Sequence, residues 1–167
     1  MPKSRLRAFW AAVLLLATGA TSSAAAQEEE PAFSEAGAIA AIREYHGEWE
    51  ELDFAAVARA HTPDFEYIFF SQVIEAPAFP AILSDSWLVG VASYRIDESD
   101  FHAILLQPDH AYVSVRFEDE SAYEDGTVAR TSGMMSYLLA FDDGWKIRRL
   151  HHSGPLPEGL FEGTPAD

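Results

Sequence analysis

The chain contains no cysteine among its 167 residues, and this absence excludes several kinds of site. Without thiols the fold has no disulfide cross-links, no cysteine nucleophile and no thiolate metal ligand. A lipid-modified N-terminal cysteine is excluded for the same reason. The fold must therefore rest on a hydrophobic core, and the length is sufficient for one domain with such a core.

Basic residues are also scarce, with 11 Lys and Arg against 27 Asp and Glu. Three of the basic residues lie within the first seven positions, so residues 27–167 hold 8 Lys and Arg against all 27 acids, a net charge of −19. A surface of this charge repels phosphate backbones and anionic lipid headgroups. We therefore expect neither a nucleic-acid partner nor adsorption to an acidic membrane.

Long apolar runs are missing as well. The longest, Phe9–Ala17, is shorter than the ~20 apolar residues that span a bilayer. Three basic residues precede this run, and a stretch of small residues ending in alanines 24–26 follows it, which is the three-part pattern of a secretory signal peptide. The sequence therefore predicts a signal peptide over 1–26, cleavage before Gln27, and a periplasmic or secreted product without a membrane span.

Helical patterns occupy the first half of the remaining chain. Residues 27–33 read as a charged linker, and Ser34 is a suitable N-cap for a helix. Apolar and aromatic side chains then recur at three- and four-residue steps, which predicts an amphipathic helix: Ile39, Ile42, His46, Trp49 and Leu52. Asp53 is expected to cap a second, shorter helix, which ends at Pro63, and residues 77–90 to form a third.

Strand patterns dominate the second half. One aromatic-rich strand is predicted over 65–70, and four more follow over 93–106, 110–119, 128–141 and 145–153. Two of the turns between them contain Asp-Gly or Gly after paired aspartates, a strong hairpin signal. Residues 155–167 read as an irregular tail rich in proline and glycine. Helices placed ahead of an antiparallel meander indicate an α+β fold in which the helices cover one face of the sheet.

Three stretches, taken in order, resemble SnoaL-like domains of the nuclear transport factor 2-like superfamily. They are Trp49 with Leu52-Asp53-Phe54 and Pro63-Asp64-Phe65, then Asp109-His110-Ala111-Tyr112-Val113-Ser114-Val115, then Asp143-Gly144-Trp145-Lys146-Ile147 with His151-His152-Ser153. The resemblance covers residues 34–154. It implies a cone-shaped, curved antiparallel sheet covered by three N-terminal helices, and a homodimer formed through the exposed face of that sheet.

The last predicted strand supplies the candidate site. Strict alternation would place Arg149 and His151 on one face, and the resemblance implies that His151 points into the cone. Arg149 departs from the family pattern and would make the cavity more basic. His151 is a candidate general base, or a structural histidine bonded inside the core. The predicted pocket-lining residues are Tyr45, Trp49, Tyr67, Trp87, Tyr137, Arg149 and His151.

The sequence and the resemblance leave three functions open. The first is a protein that binds a small, largely apolar molecule in the cone, and the second is an isomerase, cyclase or dehydratase that uses His151. The third is a non-catalytic assembly module that forms a dimer. No metal is expected, because His151 and His152 would point to opposite faces of a strand. No cofactor is expected either. Asp53 is interpreted as an N-cap and not as a catalytic acid.

Overall fold

The computed structural model describes residues 33–69, 72–83, 85, 88–106 and 108–155. It contains three helices, which are α1 (Glu35–Glu50), α2 (Phe54–Arg59) and the short α3 (Phe79–Ile82). Its six strands are β1 (His61–Phe69), β2 (Gln72–Glu75), β3 (Val91–Leu106), β4 (His110–Tyr123), β5 (Val128–Phe141) and β6 (Trp145–Ser153). In these ranges, no helix combines the length and the apolar character needed to cross a membrane.

Several expectations fall on residues outside the described ranges. The predicted signal peptide is one of them, together with nearly all of the linker at 27–33 and the tail beyond residue 155. The candidate pocket residue Trp87, which falls within the third helix predicted over 77–90, also lies outside the described ranges. Within the described part of that segment, helix α3 covers only Phe79–Ile82.

Both predicted helix caps are confirmed. The Ser34 side chain accepts a hydrogen bond from the backbone N–H of Gly37 at 2.9 Å, which satisfies one of the free donors of the first turn of α1. The Asp53 carboxylate accepts one from the N–H of Ala56 at 2.9 Å and caps α2 in the same way. Leu52, at φ 56°, makes the left-handed turn between the two helices. Asp53 therefore serves the backbone at this corner.

The six strands form one curved, unclosed sheet in the order β2-β1-β6-β5-β4-β3. Neighbouring strands are antiparallel, except that β1 and β6, the second and third strands of this order, run parallel. The predicted α+β class and the curved, mostly antiparallel sheet are confirmed. The parallel pair and strand β2 were not expected, because pairing between distant segments leaves no local pattern in the sequence.

A bulge in β6 overturns the strict alternation expected for the last strand. Leu139 pairs with Ile147 while Leu138 pairs with Arg149, so Arg148 is an extra residue without a partner position on β5. Ile147 and Leu150 are consequently both buried, three residues apart. Beyond the bulge the faces are exchanged, and the expectation that Arg149 and His151 face the cone is wrong.

A second bulge, in β3, decides which acidic residues face the helices. The register shifts between Ser99 and His102, where Asp100 takes a left-handed φ of 52°. Before the bulge, Ile96 is buried and Glu98 is partly buried on the same face of the strand. This face is covered by α1, so Glu98 points beneath the helix while its neighbours Asp97 and Ser99 remain exposed.

The core lies between α1 and the concave face of the sheet. Its largest fully buried side chains come from β1, α3, β4 and β5 as well as from α1: Tyr137, Phe65, Phe79, Phe117, Ile42 and Leu139. The backbone around Gly133 on β5 lies close to the backbone of Ser153 and Gly154 at the end of β6. A Cβ atom built on Gly133 would lie 2.1 Å from the carbonyl oxygen of Ser153, so only glycine fits there.

Candidate functional site

The buried polar residue of α1 is His46, which is 3% exposed. It lies on the face of the helix that packs against the sheet, beside Ile42 and Tyr45. Its Nδ1 atom bonds the carboxylate of Glu98, whose side chain is 17% exposed. Because an ionised carboxylate only accepts hydrogen bonds, Nδ1 carries a proton in this pair. In the tautomer with this Nδ1 proton and no proton on Nε2, the ring lone pair lies on Nε2.

The second ring nitrogen of His46 faces Tyr137. The distance from Nε2 to the Tyr137 hydroxyl is 2.5 Å, and the same hydroxyl lies 2.9 Å from the Met135 sulfur. The single hydroxyl proton of Tyr137 has two neighbouring acceptors, the Nε2 lone pair and the weaker thioether sulfur. Glu98, His46 and Tyr137 thus form a continuous path for proton movement inside the fold.

Three further tyrosine hydroxyls lie on the same side of the sheet. The Tyr45 hydroxyl is 3.2 Å from Nε2 of His61, and the Tyr67 hydroxyl is 3.2 Å from Nδ1 of His152. Tyr94 donates to the Asp119 carboxylate at 2.9 Å, and the backbone N–H of Thr131 donates to the other oxygen of that carboxylate at 3.1 Å. Polar groups of this interior are therefore arranged as hydrogen-bonded pairs.

Tyr45, Tyr67 and Tyr137 are buried and Tyr94 is half-buried, and this burial governs their ionisation. Burial raises the pKa of Tyr137 well above its usual value, and the nearby Tyr45, Tyr67, Tyr94 and Glu98 raise it further. Burial likewise raises the pKa of each of the other three tyrosines. All four are consequently neutral phenols at physiological pH, able both to donate and to accept hydrogen bonds.

Two histidines of this interior are uncharged at neutral pH. Burial lowers the pKa of His61 to about 4, and the charge of Lys146 contributes to the shift. Burial also lowers the pKa of His152 to about 4, with a contribution from His151. The ring of His152 is held at an edge-to-face angle of 84° to Phe117, with 4.6 Å between centroids. These rings therefore sit among aromatic side chains as neutral hydrogen-bonding groups.

Acid should destabilise the fold through these two histidines. Because their pKa values lie below the 6.5 of an unfolded chain, the unfolded state binds more protons between pH 6.5 and 4. Their stabilising contribution is complete above pH 6.5 and is lost as the pH falls toward 4. We expect urea titrations at pH 7.5 and pH 4.5 to differ by roughly 2 kcal/mol for each histidine.

The variant His152→Gln separates this effect from the titration of carboxylates. It should be less stable than the wild type at pH 7.5, because it disturbs the contacts with Tyr67 and Phe117. Its stability should nevertheless change less than that of the wild type between pH 7.5 and 4.5. An equal pH dependence in both proteins would show that His152 does not gain a proton on unfolding.

Of the seven residues predicted to line a pocket, four lie in this interior. Tyr45, Tyr67 and Tyr137 are buried, and Trp49 packs edge-on or tilted against Tyr45, Phe54, Phe79 and Tyr94. Trp87 lies outside the described residues. The structure thus brings together the helix and sheet aromatics that the sequence singled out.

Arg149 and His151 do not join them, and this is a correction. Both are exposed on the convex face of the sheet, where Arg149 bonds the carboxylate of Glu66 on the neighbouring strand β1. The cause is the bulge at Arg148, which a sequence pattern does not reveal. His152, next in the chain, takes the inward position instead.

His46 and Glu98 were not identified as site residues from the sequence. His46 stands on the apolar stripe of the first helix, and an ionisable side chain on such a stripe is a usable signal. Glu98 lies in an acidic stretch that reads as solvent-exposed, and its inward orientation depends on the bulge in β3. In the described ranges, no three His, Asp or Glu side chains lie close enough together to hold a metal ion.

The architecture has clear counterparts among solved structures. A candidate aromatic ring hydroxylase from Novosphingobium aromaticivorans superposes with a TM-score of 0.67 and 14% identity, over 76% of this chain and 92% of that chain. A nuclear transport factor 2-like superfamily protein from Salmonella enterica gives 0.63 and 16%, over 78% and 96%. A hexachlorocyclohexane dehydrochlorinase from Novosphingobium barchaimii gives 0.60 and 11%, over 78% and 97%.

The fold of this chain is therefore that of the nuclear transport factor 2-like superfamily, as the sequence resemblance predicted. No family model matches the chain, and a search of curated proteins finds no match. At identities of 11–16%, these likenesses establish the fold and leave the chemistry to the side chains.

Proposed function

We propose that the chain is an enzyme that binds a small, largely apolar molecule inside the cone and removes a proton from one of its carbon atoms, in the manner of a lyase or isomerase. His46 is the general base, acting through the Tyr137 hydroxyl, and Tyr137 is also the general acid. The observation that carries the proposal is the bonding of His46, which has Glu98 on one ring nitrogen and Tyr137 on the other.

In an elimination, the Tyr137 oxygen takes the proton from carbon while its own hydroxyl proton moves to the lone pair of His46 Nε2. The electron pair of the broken C–H bond forms the new double bond, and the leaving group departs with its own bonding pair. Tyr137 can give its hydroxyl proton to that group. Glu98 stabilises the imidazolium that forms, since it accepts the hydrogen bond from Nδ1 throughout. Return of the proton from His46 to Tyr137 then restores the starting state.

Two observations favour this chemistry over binding alone. The buried histidine is oriented by a carboxylate, which is the arrangement that acid–base catalysis requires and that simple core packing does not. One of the structural neighbours is a dehydrochlorinase, a name that denotes an elimination. The tyrosine, tryptophan and phenylalanine side chains provide the largely apolar surroundings that a small molecule needs.

Proton abstraction can be tested without knowing the physiological substrate. The full chain, expressed in a bacterial host, is incubated in D2O with a panel of cyclic ketones and β-hydroxy ketones. Mass spectrometry then measures deuterium at carbon, and ultraviolet absorbance detects any conjugated alkene. Catalysed exchange or alkene formation with at least one compound supports the proposal. If every compound remains unchanged, the protein binds without catalysis or serves assembly, and the proposal fails.

We also propose that the protein is exported. The support is the arrangement of residues 1–26, in which a basic segment, an apolar segment and a small-residue cleavage site follow one another. Mass spectrometry of the protein recovered from the periplasm or medium should show a chain that begins at Gln27. A full-length chain that begins at Met1 and remains in the cytoplasm would contradict the proposal.

A homodimer through the convex face of the sheet is the expected assembly. Three large apolar side chains are exposed there on β3 and β4, namely Ile104, Leu106 and Tyr112. We expect sedimentation velocity to show a dimer for the wild type and a shift toward monomer for Ile104→Asp, because the new carboxylates would face an apolar partner. A monomeric wild type at micromolar concentration would contradict this assembly.

A further inference from the structure

We propose that the interior of the cone admits uncharged molecules and excludes anions. The substrate of the proposed reaction is then a neutral ring compound carrying a hydroxyl or carbonyl group, and not a carboxylate, a phosphate or a coenzyme A ester. Calling this molecule a substrate rests on the proposed function, whereas the selectivity for charge depends only on where the charged side chains lie.

Every lysine and arginine beyond residue 7 belongs to the described part of the chain. Five of these eight side chains point to the outside and pair with surface acids: Arg95 with Asp97, Arg116 with Asp100, Arg130 with Glu120, Arg148 with Asp64, and Arg149 with Glu66. Each of the five is about half exposed or more. Their positive charges therefore face solvent.

The other three cations are also outside the concave face. Arg59 is exposed at the C-terminal end of α2, and Lys146 donates to the backbone carbonyl of Arg59 at 2.7 Å. Arg43 comes nearest to the site, with its guanidinium 4.7 Å above the ring of Phe101 and 3.9 Å from Glu98. Its side chain is 62% exposed, and it approaches Glu98 from the solvent side.

The interior itself carries negative charge. Glu98 and Asp119 both point into it, and the donors described above already bond the Asp119 carboxylate. The tyrosines are neutral, so they contribute hydroxyl groups but no charge. An anion placed here would lose its hydration without gaining a cationic partner and would face two carboxylates.

The side chains of this interior can make favourable contacts with a neutral ring compound. The faces and edges of Trp49, Phe79 and Phe117 offer aromatic contacts, and the hydroxyl of Tyr137 offers a hydrogen bond to an oxygen substituent. The sequence analysis placed Arg149 in the cavity and therefore expected a more basic site for the small, largely apolar molecule. With Arg149 outside, the attraction for an anion is removed.

Binding to matched pairs of compounds tests this selectivity. Each pair shares a ring system of one to three rings and differs in one substituent, as in 2-naphthol and 2-naphthoate. Isothermal titration at pH 7.5 with the full chain should show binding of at least one neutral member, and its carboxylate partner should bind at least about 100-fold more weakly. Arg149→Ala should leave both affinities unchanged, since Arg149 lies on the convex face.

The outcomes are distinct from those of the exchange assay. Equal or tighter binding of the carboxylate would overturn the proposal, and so would a loss of carboxylate binding in Arg149→Ala. Failure of every neutral compound to bind would also count against it. If neutral compounds bind selectively but no compound exchanges deuterium, the selectivity stands and the proposed catalysis fails.

Discussion

Replacing His46 by Gln is expected to lower the rate of deuterium exchange or alkene formation by about 10²–10⁴-fold, the contribution typical of a general base. The variant lacks the lone pair that accepts the proton, while its amide is similar in length to the imidazole. Its amide group lies near the position of Nε2, so the substitution also changes the bond between Nδ1 and Glu98. The measurement is the initial rate with the best compound of the panel, at pH 7.5.

His151→Gln is the matched control for this experiment. It is the same substitution, made at the histidine that the sequence favoured, and the side chain lies exposed on the convex face. Its rate should equal that of the wild type, and circular dichroism should show that both variants are folded. Loss of activity in His151→Gln with full activity in His46→Gln would reverse the assignment of the base.

Gly133→Ala is expected to destabilise the protein by about 3 kcal/mol, at the upper end of the usual cost of overpacking. A Cβ atom at this position would lie 2.1 Å from the carbonyl oxygen of Ser153 and 2.9 Å from the Cα of Gly154. Both contacts are with backbone, so no side chain can turn away to relieve them. The backbone of β5 at this position would have to move away from the end of β6. Urea denaturation, followed by tryptophan fluorescence, measures the change.

Gly47→Ala serves as the opposite case. Gly47 lies in the interior of α1, and a Cβ atom there would meet no heavy atom within 4 Å. Alanine should therefore stabilise the protein by roughly 0.5–1 kcal/mol, because it lowers the conformational entropy of the unfolded chain. Equal effects of the two substitutions would show that the backbone spacing between Gly133 and Ser153 leaves room for a Cβ atom.

Local patterns were sufficient to predict most of the elements. The caps at Ser34 and Asp53, the first helix and the four long strands follow from side chains that interact with near neighbours in the chain. The class of fold follows from their order. The parallel pairing of β1 with β6 could not be obtained in this way, because it joins segments about 80 residues apart.

The candidate site was predictable only in part, and the two bulges explain why. Alternation along a strand holds until one residue is inserted, and afterwards each side chain points to the other face. The extra residue Arg148 turns His151 outward and His152 inward. The shift near Asp100 leaves Glu98 beneath α1. The aromatic residues of the interior were found because helix periodicity and the strands before the bulges were unaffected.

The proposed mechanism requires that His46 has a lone pair on Nε2 while its Nδ1 proton is bonded to Glu98. Nitrogen-15 NMR of the histidine rings, with His46→Gln to assign the signals, tests it directly. At pH 7.5 we predict one ring with a protonated Nδ1 that exchanges slowly with water and an unprotonated Nε2, and we predict that Glu98→Gln shifts the Nδ1 proton. A His46 ring protonated on Nε2, or on both nitrogens, at this pH would contradict the mechanism, because such a ring cannot accept the proton of Tyr137.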